Sequence, residues 1–325
     1  MTNGIRIRAY GGPEVLSFEE IELPEPGPGA VRVKNHAIGV NFIDVYFRTG
    51  LYPSPQGLPY VPGNEGAGVV TALGSGVSDL SVGDRVAYTS TLGSYAQEIN
   101  MPASRLLKLP DAIAFETAAA MMLKGMTAEY LLRRTFEVRA GHVILFHAAA
   151  GGVGLIAGQW GKHLGATMIG TVGSAEKAAL AKAHGYDHVV NYNEDNFVAR
   201  VKEITGGSGV DAVYDSVGKT TWLGSLDCLK PRGMFAAFGQ SSGMIEGFTL
   251  GHLAQRGGLF ATRPNLNIYT STRRELELSA DSLFDAVGKS HVKINVNQRF
   301  KLEDAADAHR ALESRGTTGA TILLP

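Results

Sequence analysis

The sequence contains a single cysteine, Cys228, in 325 residues. One thiol excludes an intrachain disulfide and any zinc site built from several thiolates, and it therefore fits a reducing compartment. No basic residue stands next to Cys228 in the sequence, and we expect a buried, unreactive thiol at this position.

The sequence also lacks an excess of charge of one sign and a long apolar run. Lys and Arg total 30 against 31 Asp and Glu, which gives no reason to expect nucleic acid or an anionic membrane as the main partner. No run of about 18 apolar residues occurs, and the first thirty residues lack the layout of a signal peptide. These absences favour a cytoplasmic protein that acts on a small neutral or apolar molecule.

The length and the spacing of apolar residues predict two domains. Up to about residue 110, short runs with strand composition alternate with Gly, Pro and Asp, which predicts a mostly antiparallel β domain. Further on, strands such as "HVILFH", "TMIGTV", "HVVNY", "VDAVYD" and "MFAAFG" alternate with helices. That alternation predicts a parallel sheet covered on both faces. We expect an α/β fold with a doubly wound (Rossmann) nucleotide domain over 126–263 and a β-rich domain over 1–125 and 264–325.

The loop "HAAAGGVG" (147–154) follows a predicted strand and contains almost no side-chain bulk. Ala149, Gly151 and Gly154 occupy the positions of a G-x-G-x-x-G pattern, with alanine at the first glycine. Between a strand and a helix, such a loop binds a pyrophosphate with its amides and with the helix N-terminus. A tight turn that only packs the helix on the strand is the alternative. The expected cofactor contacts in this loop are Gly151, Gly152 and Val153.

Small or polar residues also follow the later predicted strands. In an open parallel sheet, ligands bind outside the carboxyl ends of the strands. We therefore expect these residues to lie along a bound dinucleotide: Gly173, Ser174, Ser216, Gly218, Phe238, Gly239 and Ser241.

The residues after "TMIGTV" indicate which dinucleotide would bind. An NAD site usually has an acidic residue here, but the strand is followed by Gly173 and Ser174, with Lys177 three positions further. A lysine without an acid favours the 2′-phosphate of NADPH. Glu176 is evidence against this interpretation, and a solvated helix cation is the alternative role for Lys177. Tyr192 is a second candidate for the adenosine phosphate, with an ordinary strand-end aromatic as its alternative.

Several motifs together resemble a known family. They are "GVNFIDVYFRTGLYP", "PGNEGAGVV", "VGDRVAY", "KGMTAEYLL", "AAAGGVG", "VYDSVG", "FGQSSG" and "AHRALESR". In this order they resemble the zinc-free quinone oxidoreductases, the zeta-crystallin branch of the medium-chain dehydrogenase/reductase superfamily. The resemblance implies a GroES-like fold for the β-rich domain. Zinc-dependent relatives carry Cys and His where this sequence has Asn41 and Asn64, so the resemblance implies no metal, with Glu65 as a buried hydrogen-bond acceptor.

The resemblance also implies roles for individual residues. Asn41 would hydrogen-bond at the nicotinamide, while Tyr46 and Tyr52 would line the acceptor pocket and donate to a developing oxyanion. The alternatives are a turn-forming asparagine and two core-filling tyrosines. Asp44 is expected to cap a helix rather than to orient a tyrosine. Further cofactor contacts implied by the family are Thr127, Tyr130, Thr262 and Arg263, the last with solvent exposure as its alternative.

The function implied is an NADPH-dependent quinone oxidoreductase that reduces a small quinone or enone in a cleft between its two domains. Two alternatives stay open: an NADPH-dependent enone or enoyl-thioester reductase, and a non-enzymatic NADPH-binding protein of crystallin-like or RNA-contacting type. The basic cluster "RRTFEVR" is expected to be a solvated helix end. The family further implies a homodimer that pairs through the edge strand "GLFAT". We expect His147 to be structural and His184, His188, His291 and His309 to lie on the surface.

Overall fold

The computed structural model describes residues 1–325, and its strands form three sheets. The strands are β1 Thr2–Arg6, β2 Ser17–Ile21, β3 Ala30–Val40, β4 Glu65–Leu73, β5 Arg85–Thr89, β6 Glu98–Pro102, β7 Leu107–Lys108, β8 Val143–Phe146, β9 Thr167–Val172, β10 His188–Asn191, β11 Val210–Asp215, β12 Leu229–Ala237, β13 Phe260–Thr262, β14 Val296–Lys301 and β15 Ala320–Leu324.

The α-helices connect the strands of the second half of the chain and flank those of the first. They are α1 Phe42–Arg48, α2 Phe115–Tyr130, α3 Gly152–His163, α4 Ala175–Ala183, α5 Phe197–Ile204, α6 Trp222–Asp227, α7 Leu250–Ala254, α8 Leu266–Tyr269, α9 Arg273–Gly288 and α10 Ala305–Glu313. A π-helical turn, Leu131–Thr135, continues α2. None of the helices is long and apolar enough to cross a membrane.

A six-stranded sheet forms the middle of the chain, in the order β10-β9-β8-β11-β12-β13. Every pairing in it is parallel. Counted from β8, the order is 3-2-1-4-5-6, which is the order of dinucleotide-binding sheets. This topology confirms the predicted doubly wound domain. The strand order reverses between β8 and β11, so the loops after these two strands lie where such sheets bind ligands.

The core of this sheet is built from its own apolar strands. Leu145, Ile169, Val213 and Phe235 are almost fully buried in one cluster. Helix α3 covers the sheet with its apolar face, on which Trp160 keeps only 3% of its surface exposed. Because α3 is packed in this way, its N-terminus and the loop before it are held at the carboxyl edge of β8.

A seven-stranded sheet has the order β14-β15-β3-β4-β5-β7, with β6 paired to β3. All of its pairings are antiparallel except β14 with β15. The long strand β3 contributes Val31 and Val33 to one core and Ile38 and Val40 to another. The predicted antiparallel β domain is therefore present, and it includes the terminal strand β15.

The chain divides into two compact units. Unit 1 contains residues 1–126, 270–288 and 294–325, and unit 2 contains residues 127–269 and 289–293. The predicted limit before residue 264 differs from the observed one before residue 270. The reason lies in α8, because the ring of Tyr269 stacks on Tyr130 within unit 2.

Candidate active site

The glycine loop carries an alanine at its first motif position without distortion of the neighbouring strand. Ala149 is completely buried, and its methyl group lies beside Gly170 of β9. A Cβ atom added to Gly170 would lie 2.6 Å from the Cβ of Ala149. The space that the motif's first glycine usually provides is therefore provided by a glycine on the adjacent strand.

Gly151 and Gly154 have different surroundings within the same loop. A Cβ atom on Gly154 would meet the carbonyl oxygens of Ala148 and Ala149, the latter at 2.6 Å, so this glycine is needed for the turn itself. A Cβ atom on Gly151 would meet only the carbonyl oxygen of Ala148, at 3.2 Å. The N-cap of α3 is therefore open to an incoming group. A helix N-terminus without side chains around it can accommodate a pyrophosphate, as predicted from the sequence.

The loop after β9 brings four predicted residues together. Ser174 caps α4 by accepting a hydrogen bond at its Oγ from the backbone N–H of Lys177, 3.2 Å away. The hydroxyl of Tyr192 lies directly over Gly173, where an added Cβ would be 2.6 Å from the phenol oxygen. Lys177 is half-buried, and Glu176 is exposed. The binding roles of these residues stay predictions.

The loops after β11 and β12 are joined by Asp215, which the sequence analysis did not single out. Its buried carboxylate accepts hydrogen bonds from the backbone N–H groups of Val217, at 2.7 Å, and Gly218, at 3.0 Å. The backbone N–H of Ser241 donates to the carbonyl of Ser216, 3.2 Å away. The sequence signal was present, since Asp215 ends the strand "VDAVYD" directly before the predicted site residue Ser216.

These two loops also hold Phe238 and Gly239. A Cβ on Gly239 would lie 2.5 Å from the carbonyl oxygen of Ser216, so only glycine permits this approach. The ring of Phe238 packs 5.5 Å from that of Phe146, at the end of β8. The structure thus gathers the predicted residues of three loops at the carboxyl edge of one sheet.

His147 has the contacts of a structural histidine. It is buried, and its ring nitrogens lie 2.8 Å from Thr171 Oγ1 and 2.9 Å from Ser225 Oγ. Burial lowers the pKa of His147, partly offset by the charge of Asp215. Since Ser225 donates to Asp215, the chain of hydrogen bonds ties the glycine loop to the loop after β11.

A third group of predicted residues lies at the end of α2. Tyr130 is buried and stacked on Tyr269, with ring centroids 4.5 Å apart. Its hydroxyl interacts with Thr127, and burial raises the pKa of Tyr130 although the charge of Arg263 opposes the rise. Thr262 ends β13 immediately before Arg263. The structure brings these residues together within unit 2.

In unit 1, Asn41 belongs to a buried polar cluster. Its Nδ2 donates to Glu65 Oε2 over 2.8 Å, and Glu65 is completely buried. Lys124 Nζ lies 3.0 Å from the same oxygen, and the backbone N–H of Leu123 donates to Oε1 over 2.8 Å. Glu65 is therefore the buried acceptor that was expected. Lys124 was missed, although a lone lysine inside the apolar run "AAAMMLKGM" was the available signal.

Asp44 caps helix α1, as expected. Its carboxylate accepts the backbone N–H of Asn41 over 2.9 Å and Nδ2 of Asn64 over 2.8 Å. Tyr95 donates its hydroxyl to the same carboxylate over 3.1 Å. Complete burial raises the pKa of Asp44 to about 6, against the effect of these hydrogen bonds.

Tyr46 and Tyr52 lie next to each other at the end of α1. Their ring centroids are 5.2 Å apart, and the backbone N–H of Tyr52 donates to the carbonyl of Tyr46 over 3.0 Å. Both side chains are partly exposed. Both side chains therefore reach the protein surface, whereas tyrosines that only fill a core would be buried.

The expected surface position of His309 is wrong. His309 is fully buried, with Nδ1 3.1 Å from Arg48 Nη1 and Nε2 3.0 Å from the hydroxyl of Tyr95. Burial, together with the charge of Arg48, lowers the pKa of His309 to about 3. Arg48 in turn forms a two-pronged ion pair with Glu313, at 2.8 and 2.7 Å. The apolar stripe of α10 turns His309 inward, because His309 lies next to Ala308 and one turn after Ala305.

Comparison with known proteins decides the family. A zinc-binding dehydrogenase family model matches residues 152–276, and an alcohol dehydrogenase GroES-like domain model matches residues 27–111. A quinone oxidoreductase of Pseudomonas aeruginosa is 53% identical over 326 residues, with 100% of both chains covered. The chain belongs to the quinone oxidoreductases of the medium-chain dehydrogenase/reductase superfamily. The predicted resemblance is thereby confirmed.

Other members of the family are also similar over the whole chain. A 2-haloacrylate reductase of a Burkholderia species is 47% identical, with 98% of each chain covered. The crystal structure of the Escherichia coli quinone oxidoreductase complexed with NADPH superposes with a TM-score of 0.97 at 49% identity, covering 99% of this chain and 100% of the other. The Rossmann and GroES-like architecture of the family is thus the architecture of this chain.

The polar cluster of unit 1 does not fit the zinc ion named in the family description. Amides occupy positions 41 and 64, and the ammonium of Lys124 lies beside Glu65, where it would repel a metal cation. Nowhere in the chain are three or more His, Cys, Asp or Glu side chains grouped as a metal site requires.

Proposed function

We propose that this protein is an NADPH-dependent quinone oxidoreductase that works without a bound metal. The observation that carries the proposal is the glycine loop, since Gly151 is open beside the N-terminus of α3 at the switch point of a 3-2-1-4-5-6 sheet. Family membership at 53% identity supports the same activity, and the similar E. coli structure contains NADPH.

The cofactor would be held by the loops of unit 2. The loop at 151–153 receives the pyrophosphate, and Lys177 with Tyr192 receives the 2′-phosphate at the end of β9 and β10. Asp215 keeps both loops in the arrangement that accepts the dinucleotide: its carboxylate accepts from the backbone of the loop after β11, and its carbonyl oxygen accepts from the backbone N–H of Phe238 after β12. The bound NADPH supplies the reducing equivalents.

The acceptor would be held by unit 1. Asn41 orients the nicotinamide end, while Tyr46 and Tyr52 line the acceptor pocket and donate hydrogen bonds to the oxygen on which negative charge develops. A quinone is already electron-poor, so orientation and hydrogen bonding replace the polarisation that a metal gives to a less reactive carbonyl.

The alternatives receive less support. The cluster "RRTFEVR", which an RNA-contacting role would need, includes Arg134, but its guanidinium pairs with Glu129 at 2.7 Å and lies over the ring of Tyr269. One observation favours an activated alkene as the substrate, namely the 47% identity to a 2-haloacrylate reductase. Quinones, enones, enoyl thioesters and 2-haloacrylates therefore form the acceptor panel for steady-state assays.

The decisive experiment compares NADPH and NADH binding to the wild type and to Lys177→Ala. We expect the wild type to bind NADPH more tightly, and the variant to lose at least about tenfold of that preference, because a charge-assisted phosphate contact is removed. Lys182→Ala is the matched control, since Lys182 is an exposed lysine of the same helix. Equal affinity of the wild type for both cofactors would contradict the assignment of Lys177.

We further place the protein in the cytoplasm as a homodimer. Its single cysteine is buried and unpaired, as a reducing compartment permits. The edge strand β13 has only one neighbour in its sheet, and Phe260 on it is 58% exposed. An exposed apolar edge strand is suited to pair with a second copy of the chain.

A further inference from the structure

Lys124 and Glu65 form an ion pair inside unit 1 that fold stability alone does not require. Lys124 is 6% exposed, Glu65 is completely buried, and their charged atoms are 3.0 Å apart. Removing two charges from water costs free energy that their attraction often fails to repay, and apolar residues of similar volume stabilise a core at least as well. The pair therefore calls for a role in addition to packing.

The ion pair determines how the amide of Asn41 is oriented. An ionised carboxylate has lone pairs only and cannot donate a hydrogen bond. Glu65 Oε2 therefore has to face Nδ2 of Asn41, from which it accepts over 2.8 Å. As a result Oδ1, the acceptor end of the Asn41 amide, is directed away from Glu65.

We propose that the Lys124–Glu65 pair is a positioning element that makes Asn41 present a hydrogen-bond acceptor, and not a donor, to the carboxamide NH₂ of the bound nicotinamide. The inference rests on the proposed function, in which Asn41 lies at the nicotinamide. Lys124 acts through Glu65, because its ammonium lies 3.0 Å from the carboxylate oxygen that accepts from Nδ2 of Asn41.

The hydrogen bonds around Glu65 predict what an uncharged replacement would do. The backbone N–H of Leu123 donates to Oε1 and needs an acceptor there. In Glu65→Gln, the amide oxygen would serve Leu123, and the amide nitrogen would then face Asn41. Asn41 would have to turn its oxygen toward position 65 and its NH₂ toward the cofactor. The double variant Glu65→Gln/Lys124→Met therefore keeps the hydrogen bonds at position 65 satisfied and carries no unpaired charge. It reverses the Asn41 amide, which also turns Oδ1 away from the backbone N–H of Asp44 at the start of α1.

The test measures dissociation constants by titration calorimetry for NADPH and for its reduced 3-acetylpyridine analogue. The analogue has a methyl ketone in place of the carboxamide, so it lacks the NH₂ group. We expect the wild type to bind NADPH at least about tenfold more tightly than the analogue, and the double variant to lose this preference. Asn41→Ala removes the amide and leaves the ion pair in place, and it should lose the preference as well.

Controls separate this inference from folding and from the proposed function. Thermal unfolding and circular dichroism establish that each variant is folded, and Lys182→Ala should keep the preference of the wild type. If the double variant or Asn41→Ala, folded, still prefers NADPH as the wild type does, the positioning role is wrong while the proposed function stands. The positioning role is also wrong if the wild type binds NADPH and the 3-acetylpyridine analogue equally tightly. If the wild type does not bind NADPH, the proposed function fails and this inference fails with it.

Discussion

Gly151 and Gly154 belong to one sequence motif, but the structure gives each a different reason to be glycine. At Gly154 an added methyl group would meet backbone carbonyl oxygens, which cannot move away as a flexible side chain could. At Gly151 it would extend into open space apart from one oxygen at 3.2 Å. Gly154 therefore serves the turn, and Gly151 leaves room for a ligand.

Alanine substitutions at these two positions should separate stability from cofactor binding. We expect Gly154→Ala to lower the free energy of unfolding by about 1–3 kcal/mol, because the loop has to shift. We expect Gly151→Ala to unfold like the wild type but to bind NADPH at least about tenfold more weakly. Urea unfolding and NADPH fluorescence titration measure the two effects. Unchanged NADPH affinity in a folded Gly151→Ala variant would count against a pyrophosphate at this loop.

Single polar residues within apolar runs were the hardest part of the site to predict from sequence. The cofactor loops follow from local patterns, since small residues after a strand are recognisable without knowledge of the fold. The partners of Lys124 and His309 are 59 and 261 positions away along the chain, at Glu65 and Arg48. Only the tertiary fold brings these partners into contact, and the sequence alone does not show which residues will be neighbours in space.

At the scale of elements, α1 and α10 are connected by a buried polar chain. Arg48 of α1 donates to His309 of α10, so the other ring nitrogen carries the proton and is directed at Tyr95. Tyr95 donates to Asp44 on α1. The helix that carries Tyr46 is thereby fixed through a neutral histidine, and this arrangement depends on pH.

Acid should destabilise the protein through His309. The pKa of His309 is lowered from 6.5 to about 3 in the folded chain. Between these values the unfolded state binds a proton that the folded state does not, so the free energy of unfolding decreases as the pH falls, by at most about 1.4 kcal/mol per pH unit. His309→Gln should lose less stability than the wild type between pH 6.5 and pH 3 in urea unfolding.

The comparison between variant and wild type isolates this effect. The pKa of Asp44 is raised to about 6, so its contribution to stability changes with the opposite sign over part of the same pH range. Glutamine at position 309 can still donate to Tyr95, so we expect the Asp44 contribution to be similar in both proteins and to cancel largely in the difference. His188→Gln, which replaces an exposed histidine, should show the pH dependence of the wild type. An identical acid slope in His309→Gln and the wild type would exclude His309 as the source.

Most elements were predictable because their apolar residues have a regular period. Strands β9 and β11 have the bounds of the predicted strands "TMIGTV" and "VDAVYD". Strand β7 was missed because it has only two residues, and α1 was expected only as a helix capped near Asp44, without bounds. Short elements of this kind are determined by what they pack against rather than by their own sequence.

At the scale of the whole molecule, each unit carries its own part of the proposed chemistry. The nucleotide loops belong to unit 2, and the cluster around Asn41 and Glu65 belongs to unit 1. Near-neutral charge at a formal value of −1 is consistent with a small uncharged acceptor rather than a polyanion. The order of motifs along the chain was sufficient to predict the two fold types, because each motif belongs to one of them.

The proposed dimer can be tested at its edge strand with a matched pair of substitutions. Phe260 on β13 and Leu278 on α9 are both 58% exposed, but only Phe260 belongs to the sheet edge. We expect Phe260→Asp to weaken dimerisation at least about tenfold, because a buried, unpaired charge would oppose pairing of the two strands. Leu278→Asp should leave the association unchanged. Sedimentation velocity over a concentration series distinguishes the species, and a wild type that sediments as a single chain, or equal dissociation in both variants, would contradict pairing through β13.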